Sequence, residues 1–537
     1  MKHLNCSISC IKPFPALVLK KTTTYHLVNL LYCALKRVSL GIIAILATSV
    51  LVVTALYFTP LTPPLVQKEK QDLIIIDNVN IVDVISGTIL EDKQVVIEAG
   101  IISDIREAGS HFTKDTAYMV AGSNKYLMPG LWDMHSHLAF NEAPQITMPL
   151  YIANGVLHLR DMQGIMNIVD KRRRWAESIN NHELLGPRIV GSADHIVGDN
   201  YDRRNVEKVV LKTSENPNAF IKIYSQIKEP RFLKLAKLAE QNHVEFAGHY
   251  PLSIDPILAS NAGQRSFEHA HLFIDNASIK APLLRQYYSE RFSNNGVSKT
   301  HRPTKIEIIN SFEQQKFNLL VAAMVQNDTY FVPTHITKQY EAFSNDNEFL
   351  SDAKLKYIPF MVQNLWADDA KGMKAYSANA LNQYYLRGLE LTGQAHRQGV
   401  KILAGTDTYD PYSFPGFSLH AELEQLTKAG LSNVEALASA TILPATYFQK
   451  QLRMGSIDIG KMGDVILLDK NPLADIQNTK SIKMVIYDGA VYDEQDLMRQ
   501  KDYVETNVSG VNSLIITVKM IVAMFQDNTP EARNAGY

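Results

Sequence analysis

His135, His137, Lys222, His249, His269 and Asp407 are residues of types that could jointly hold two metal ions, and each lies in or at the end of a short apolar run that reads as a β-strand. Imidazole and carboxylate ligate divalent cations. Two such cations activate water and polarise a carbonyl, which is the chemistry of metal-assisted hydrolysis. Ligands this dispersed must be gathered. A barrel of alternating strands and helices does so by bringing the ends of separate strands to one face.

The motifs differ in weight. In Met-Pro-Gly-Leu-Trp-Asp-Met-His-Ser-His, residues 128–137, two histidines at i and i+2 on a strand share one face. Alone, that pair reads equally well as structural; the Pro-Gly and apolar strand before it favour ligands. Lys222 sits inside Ala-Phe-Ile-Lys-Ile-Tyr, a run that a barrel would bury. A buried ammonium is paired, neutralised or chemically modified, unless its side chain snorkels to the strand end. An amine that has taken up CO₂ is a carbamate, an anionic two-oxygen group able to bridge two cations. His249 in Val-Glu-Phe-Ala-Gly-His and His269 in Arg-Ser-Phe-Glu-His each close a strand, and singly each reads equally as a hydrogen-bonded core histidine. Asp407, in Ile-Leu-Ala-Gly-Thr-Asp, ends the last strand, with a helix cap as the alternative. The joint pattern favours a metal site.

The elements that must position these residues alternate between strand-like and helix-like segments from 127 to 450, as an α/β barrel requires. The strands are expected at Leu127–His135, Gly155–Asp161, Pro187–His195, Ala219–Tyr224, Val244–His249, Arg265–His269, Thr329–His335 and Lys401–Asp407. That is the number a (β/α)₈ TIM-like barrel needs. The long stretch between His335 and Lys401 predicts an insertion at the active-site rim. Short strands and turns at 71–126 and again at 451–495 predict a small β-sandwich built from both ends of the hydrolase region. A tail, 496–537, follows, with an apolar stretch Leu514–Phe525 open to several readings: docking element, oligomer contact or membrane-surface contact.

Residues 1–37 carry Lys2, Lys12, Lys20, Lys21, Lys36 and Arg37 and no acid, and an uncharged run, Val38–Phe58, follows. At about 1.5 Å per residue that run can cross a bilayer core of about 30 Å, and it has no polar face. It predicts an N-terminal transmembrane helix. Only Lys68 and Lys70 lie shortly after it, so the positive-inside rule puts the N-terminus in the cytoplasm and the catalytic region on the periplasmic or extracellular side. Cleavage near Val53-Thr54-Ala55 would give a secreted form instead. The stretch 59–70, rich in proline, reads as a stiff linker. Cys6, Cys10 and Cys33 all precede the span, so the exported part has no disulfide and any metal there is held by His, carboxylate or modified Lys. The balance of 54 basic against 55 acidic side chains offers nothing for nucleic acid. Its partners are a small-molecule substrate and the lipid bilayer, with a homo-oligomer left open.

From Asp72 to Asp493 the chain resembles the amidohydrolase superfamily, specifically its imidazolonepropionase-like, dipeptidase- and prolidase-like metal-dependent hydrolases. The motifs that carry the resemblance are PGLWDMHSH, NGVLHLRDMQG, FIKIYS, FEHAH, LAGTDT, SLHAELEQLTKAGLSNVEALASATILPA and GSIDIGKMGDVILLDKNPL, in that order. The resemblance implies that His135, His137 and Asp407 hold the more buried of two divalent ions and His249 and His269 the more exposed one; imidazole and carboxylate suit Zn²⁺ best and also accept Mn²⁺, Fe²⁺ or Co²⁺. Carboxylated Lys222 and a hydroxide would bridge them, the hydroxide would attack an amide, and Asp407 would carry its proton to the leaving amine. Tyr224, His195, His335 and Arg160 are candidates to line the pocket, with rim packing or a surface pair as the alternative for each, and for Arg160 a pairing with Asp161 or the sandwich.

Other readings use the same scaffold. A deaminase with one metal usually lacks the strand-four lysine and carries an acid shortly after the fifth-strand histidine, where His249-Tyr250-Pro251-Leu252 offers none. A lactonase or esterase would use the same ligands. A non-catalytic scaffold would be marked by loss of ligands, and all of them are present.

Overall fold

The computed structural model describes residues 21–110, 117–138, 144–163, 166–198, 205–294 and 296–527. It divides into two compact units, Met1–Pro60 and Leu61–Tyr537. Lys2, Cys6, Cys10, Lys12 and Lys20 lie outside the described residues, as do positions 528–537 of the tail.

The first unit is a helix, Lys21–Phe58. Its apolar part, Val28–Phe58, has a mean hydropathy of 2.4 and is long enough to cross a membrane. The helix starts well before the expected span and runs straight through Lys36 and Arg37, because nothing in that stretch breaks it. Pro60, which cannot continue a helix, follows two residues after its end.

In the second unit, the residues after the span are pinned from Leu61 onward. Tyr503 donates its hydroxyl to Pro63 O at 2.7 Å, Leu185 N donates to Leu65 O at 2.6 Å, and buried Gln67 donates to Ile179 O at 2.9 Å. The β-rich ends then form a single sheet. Strands β1 (Leu73–Val82), β2 (Ile89–Glu98), β3 (Ile101–Glu107), β4 (Tyr118–Ala121) and β5 (Tyr126–Pro129) precede the barrel. The barrel strands are β6 (Leu131–Ser136), β7 (Val156–Asp161), β8 (Arg188–Val197), β9 (Ala219–Ile223), β10 (Phe246–His249), β11 (Ser266–Glu268) and β12 (Tyr330–Val332), and β13 (Val465–Leu468), β14 (Ile482–Tyr487) and β15 (Ala490–Asp493) follow. The sheet order β15-β14-β13-β5-β1-β2-β3, with β4 beside β1, joins both chain ends through β5 and β13. Its core alternates as a pleat demands: Ile74 and Ile76 pack with Val95, Ile97 and Leu467, while Leu73 and Ile75 pack with Val96 on the other face.

The barrel strands β6 to β12 pair in sequence order, all parallel. The expected first strand, Leu127–His135, is in fact two. Chain direction changes at Gly130, where β5 ends in the small sheet and β6 enters the barrel; a Cβ there would lie 2.5 Å from Leu157 Cδ1. The expected last strand, Lys401–Asp407, forms no regular ladder. It contributes single parallel bridges, Phe331↔Ile402 on one side and Ser136↔Thr408 on the other, which leave the seven-stranded barrel nearly closed. The ladder is interrupted because Gly405 passes against β6 and Asp407 takes a left-handed backbone, φ 54°. The stretch between His335 and Lys401 is helical, with segments His335–Phe343, Phe360–Met373 and Ala378–Arg397, and its Tyr340, Glu341, Asp369 and Met373 reach the pocket at the barrel mouth. The apolar tail is a helix, Gly510–Asp527, that buries Ile515, Ile516 and Met520 and exposes Val511 and Leu514.

Candidate metal centre

The β6 strand delivers the first two ligands. His135 is fully buried, and its Nδ1 lies 2.9 Å from Glu268 Oε2; His137, just past the strand end, has its Nδ1 2.9 Å from Gln163 Oε1. A carboxylate and an amide oxygen only accept, so each Nδ1 carries the proton and each Nε2 keeps its lone pair. Both lone pairs face Asp407 Oδ1, at 3.1 Å and 2.9 Å. His135 Nε2 is buried without a well-formed hydrogen bond. One ligand atom from each of the three residues lies within 4.8 Å of the others. Three lone-pair donors turned on one another form an arrangement that a cation satisfies, so these residues fit the metal the motifs imply.

Asp407 is put there by close backbone approach. A Cβ on Gly405 would meet Val332 Cγ1 at 2.6 Å and His135 Cβ at 2.8 Å, so only glycine lets the segment lie against β6. Asp133 ties the two together, accepting from His135 N, Thr406 N and the Thr406 hydroxyl at 3.1, 3.0 and 2.5 Å. Burial opposes the charge on Asp407; positive charge on the rings of His135 and His269, the alternative to a cation between them, outweighs burial and holds the carboxyl well below the usual carboxylate range.

His249 and His269 form a second group. Their Nε2 atoms are 3.1 Å apart, and His269 Nδ1 is 3.0 Å from Thr334 Oγ1 and 3.5 Å from Asp407 Oδ2. Burial pushes His249 down to about 3, with Lys222 adding to the effect, so it is a neutral imidazole in the physiological range. Thr334, His269 and Asp407 all carry positive φ, at 46°, 75° and 54°. Strained backbone concentrated at three residues in contact marks a functional constellation.

Lys222 is buried on β9 and lines the same pocket as His137, His249, His269 and Asp407. Burial lowers its pKa against the pull of Asp407 and Glu268. Among the described residues its ammonium has no hydrogen bond and no carboxylate within 4.0 Å. Gly248, at φ 133°, lets β10 sit tight against it: a Cβ there would lie 2.4 Å from Ile223 O and 3.2 Å from Lys222 Cγ.

Residues 373–491 match the Amidohydrolase family. That stretch includes Asp407 and the strands β13 and β14, while the other expected ligands lie before it. No curated protein sequence matches the chain. Among solved structures, a Xaa-Pro dipeptidase with bound methionine in the active site is similar at 19% identity and a TM-score of 0.55, over 78% of this chain and 100% of its own. Bottromycin amidohydrolase is similar at 18% identity and a TM-score of 0.63, over 85% of this chain and 92% of its own. Molinate hydrolase is similar at 15% identity and a TM-score of 0.55, over 79% and 95%. At such identities the likeness is one of fold, and the amidohydrolase fold is the one expected from the motifs.

The remaining expected residues separate. Tyr224 lines the pocket, which has a volume of about 690 Å³, and meets the His249 ring edge-on at 4.8 Å between centroids. Arg160 does not reach the pocket. It is wholly buried in the barrel, donating to Met134 O at 2.6 Å, Ser266 Oγ at 2.9 Å and Glu268 Oε1 at 2.8 Å, because a charge on an interior barrel position has to find its partners there. His335 is the first residue of a helix rather than the end of a strand, and its ring turns away from the pocket to Thr392 Oγ1 at 3.0 Å. His195 is buried on β8, also outside the pocket lining.

Other residues of the site emerge only in three dimensions. Glu268 links Arg160 to His135, Gln163 orients His137, and Thr334 meets His269. Glu268 had a visible signal: a carboxylate in a buried strand needs a partner. His271 lies parallel to His269 at 5.9 Å and lines the pocket, and its second-histidine spacing in FEHAH was visible as well.

Proposed function

We propose that the protein is a binuclear metal-dependent hydrolase that cleaves an amide-type carbon–nitrogen bond in a small substrate, with dipeptides and N-acyl amino acids as the leading class. The observation that carries this is the convergence of His135, His137 and Asp407, each bare lone pair facing the next, beside a buried Lys222 whose ammonium has no partner among the described residues. His135, His137 and Asp407 are suited to hold one ion, and His249 with His269 a second. Lys222 is read as the bridge in its carbamate form: the neutral amine adds to CO₂ and loses one proton to solvent, and burial favours the neutral amine this needs. Bound divalent ions would supply a water acidic enough to ionise near neutrality and a positive charge to polarise the substrate carbonyl. Asp407, which lines the pocket, is placed to take the water proton and return it to the leaving nitrogen. Tyr224 is placed to donate to a substrate oxygen. The dipeptidase, amidohydrolase and hydrolase names of the similar structures agree with the substrate class.

The barrel is read as the (β/α)₈ type, with residues 401–407 in the eighth place, and the composite sheet as the small accompanying domain. The apolar helix is read as an anchor that leaves the site on the non-cytoplasmic side. The test uses the full chain in detergent, loaded with Zn²⁺ and bicarbonate, against dipeptides, N-acyl amino acids, lactones and aminated heterocycles. Amide cleavage with metal near two equivalents and a ¹³C carbamate signal supports the reading. Ammonia release from a heterocycle without amide cleavage, or full activity with one equivalent of metal and no carbamate, sinks it.

A further inference from the structure

A second cavity, of about 470 Å³, shares no lining residue with the metal pocket. Its wall is aromatic: Phe349, Tyr412, Phe414 and Phe417. Three lysines enter it, and two are neutralised. Lys354 pairs with Asp352 at 2.6 Å, and Lys480 pairs with Glu424. Lys501, on the helix Glu494–Asn507, has no carboxylate within 4.0 Å among the described residues and no hydrogen bond. Its ammonium instead stands 5.4 Å from the centre of the Phe417 ring. A lysine free to do so carries its charge out into water, whereas this one is held half-buried against an aromatic wall.

His420, which is buried and lines the cavity, does not share the work. Its Nε2 is bound to Asn154 O at 3.0 Å and its Nδ1 to Thr479 Oγ1 at 2.9 Å, so neither nitrogen is offered to a ligand. The cavity therefore presents one uncompensated positive charge beside apolar ring faces, in a volume within the usual range for small ligands. That is the complement of an organic anion with a single charged end. We propose that this cavity is an accessory binding site for a small organic monoanion, its carboxylate on Lys501 and its aromatic or aliphatic body against Phe414 and Phe417.

Calorimetry on the full chain in detergent, with phenylacetate as the probe, tests this. Phenylacetate should bind, and both uncharged phenylacetamide and the Lys501→Gln protein should show affinity lower by about tenfold, the scale of one charge-assisted hydrogen bond. Inorganic phosphate, which has no body for the rings, should bind more weakly than phenylacetate. His249→Ala should leave phenylacetate binding unchanged. Absence of phenylacetate binding, equal affinity in Lys501→Gln, phosphate binding as tight as phenylacetate, or loss of binding in His249→Ala would each overturn the proposal, the last by moving the probe to the metal pocket. A second measurement needs no variant: acetylation of Lys501 by an N-hydroxysuccinimide ester, followed by mass spectrometry, should slow with phenylacetate and not with phenylacetamide. Equal acetylation rates would refute the site even if Lys501→Gln failed to fold.

Discussion

Replacing Glu268 by Gln separates two roles of one buried side chain. Glu268 has no exposed surface; Oε1 accepts from Arg160 at 2.8 Å and from Ser266 at 2.5 Å, and Oε2 meets His135 Nδ1 at 2.9 Å. Burial opposes its charge, but Arg160 first and His135 next hold its pKa below the ordinary carboxylate value. A depressed carboxylate contributes its stability above its unfolded pKa and loses it as pH falls, so at neutral pH the contribution is fully present. The amide keeps the shape and an acceptor for His135 but leaves the Arg160 guanidinium in the barrel without its charge partner. Breaking a buried pair in this way costs about 3–5 kcal/mol. The hydrogen bond to His135 weakens too, and loss of such a support lowers metal affinity by about tenfold to a hundredfold. Thermal unfolding and Zn²⁺ retention against a graded chelator read the two effects. In the double variant Arg160→Met with Glu268→Gln, the unpaired charge is gone, so stability should recover while metal retention stays low. Wild-type Zn²⁺ retention in Glu268→Gln would refute the assignment of Glu268 as the group that orients His135, and a double variant no more stable than the single one would refute the charge argument.

Gly405→Ala should cost about 1–3 kcal/mol, because the new methyl meets Val332 and His135 inside 3.0 Å, and should weaken metal binding by pushing Asp407 off β6; unfolding and chelator titration check both. Lys222→Arg keeps a positive charge but cannot become a carbamate, so kcat/KM should fall by about a hundredfold or more and the ¹³C carbamate signal should vanish; wild-type turnover would remove the carbamate from the mechanism. His420 is held neutral by burial, its pKa down to about 4 from 6.5. The unfolded chain takes up that proton first, so stability is complete above the unfolded pKa and is lost between the two values as pH falls, by up to about 3 kcal/mol from this residue. His420→Gln should flatten that part of the stability–pH curve, and an unchanged acid limb would refute it.

The fold was readable where a short buried segment stood between turn residues. β7, β9, β10, β11 and β12 fall inside the ranges expected for them, and β7, β11 and β12 are buried along their whole length even where they carry His158, Arg160 or Glu268. It was unreadable where tertiary contact overrode the local pattern. Residues 127–135 are one apolar run in sequence, yet Gly130 divides them between two sheets, because its missing side chain lets Leu157 fill the corner. Residues 401–407 look like a strand and pair only through single bridges, because the turn that aims Asp407 into the site breaks the ladder.

The site divides along the same line. Residue types at strand ends singled out His135, His137, Lys222, His249, His269 and Asp407; all but His135 line the pocket, and His135 is buried with its Nε2 3.1 Å from Asp407 Oδ1. What holds them did not show, because support is a matter of distance in space: Glu268 reaches His135 from 133 positions away and Asp133 reaches Thr406 from 273. Arg160 illustrates the error this invites. A charged residue near a strand end suggests a substrate contact, but the same residue facing inward must be neutralised by the core, and the core here supplies Glu268. The ion pair then becomes part of the scaffold that orients His135. A charge in a barrel strand is thus ambiguous from sequence until its partner is known, whereas a lysine like Lys222, without an ion-pair partner among the described residues, is the one for which chemistry has to be sought.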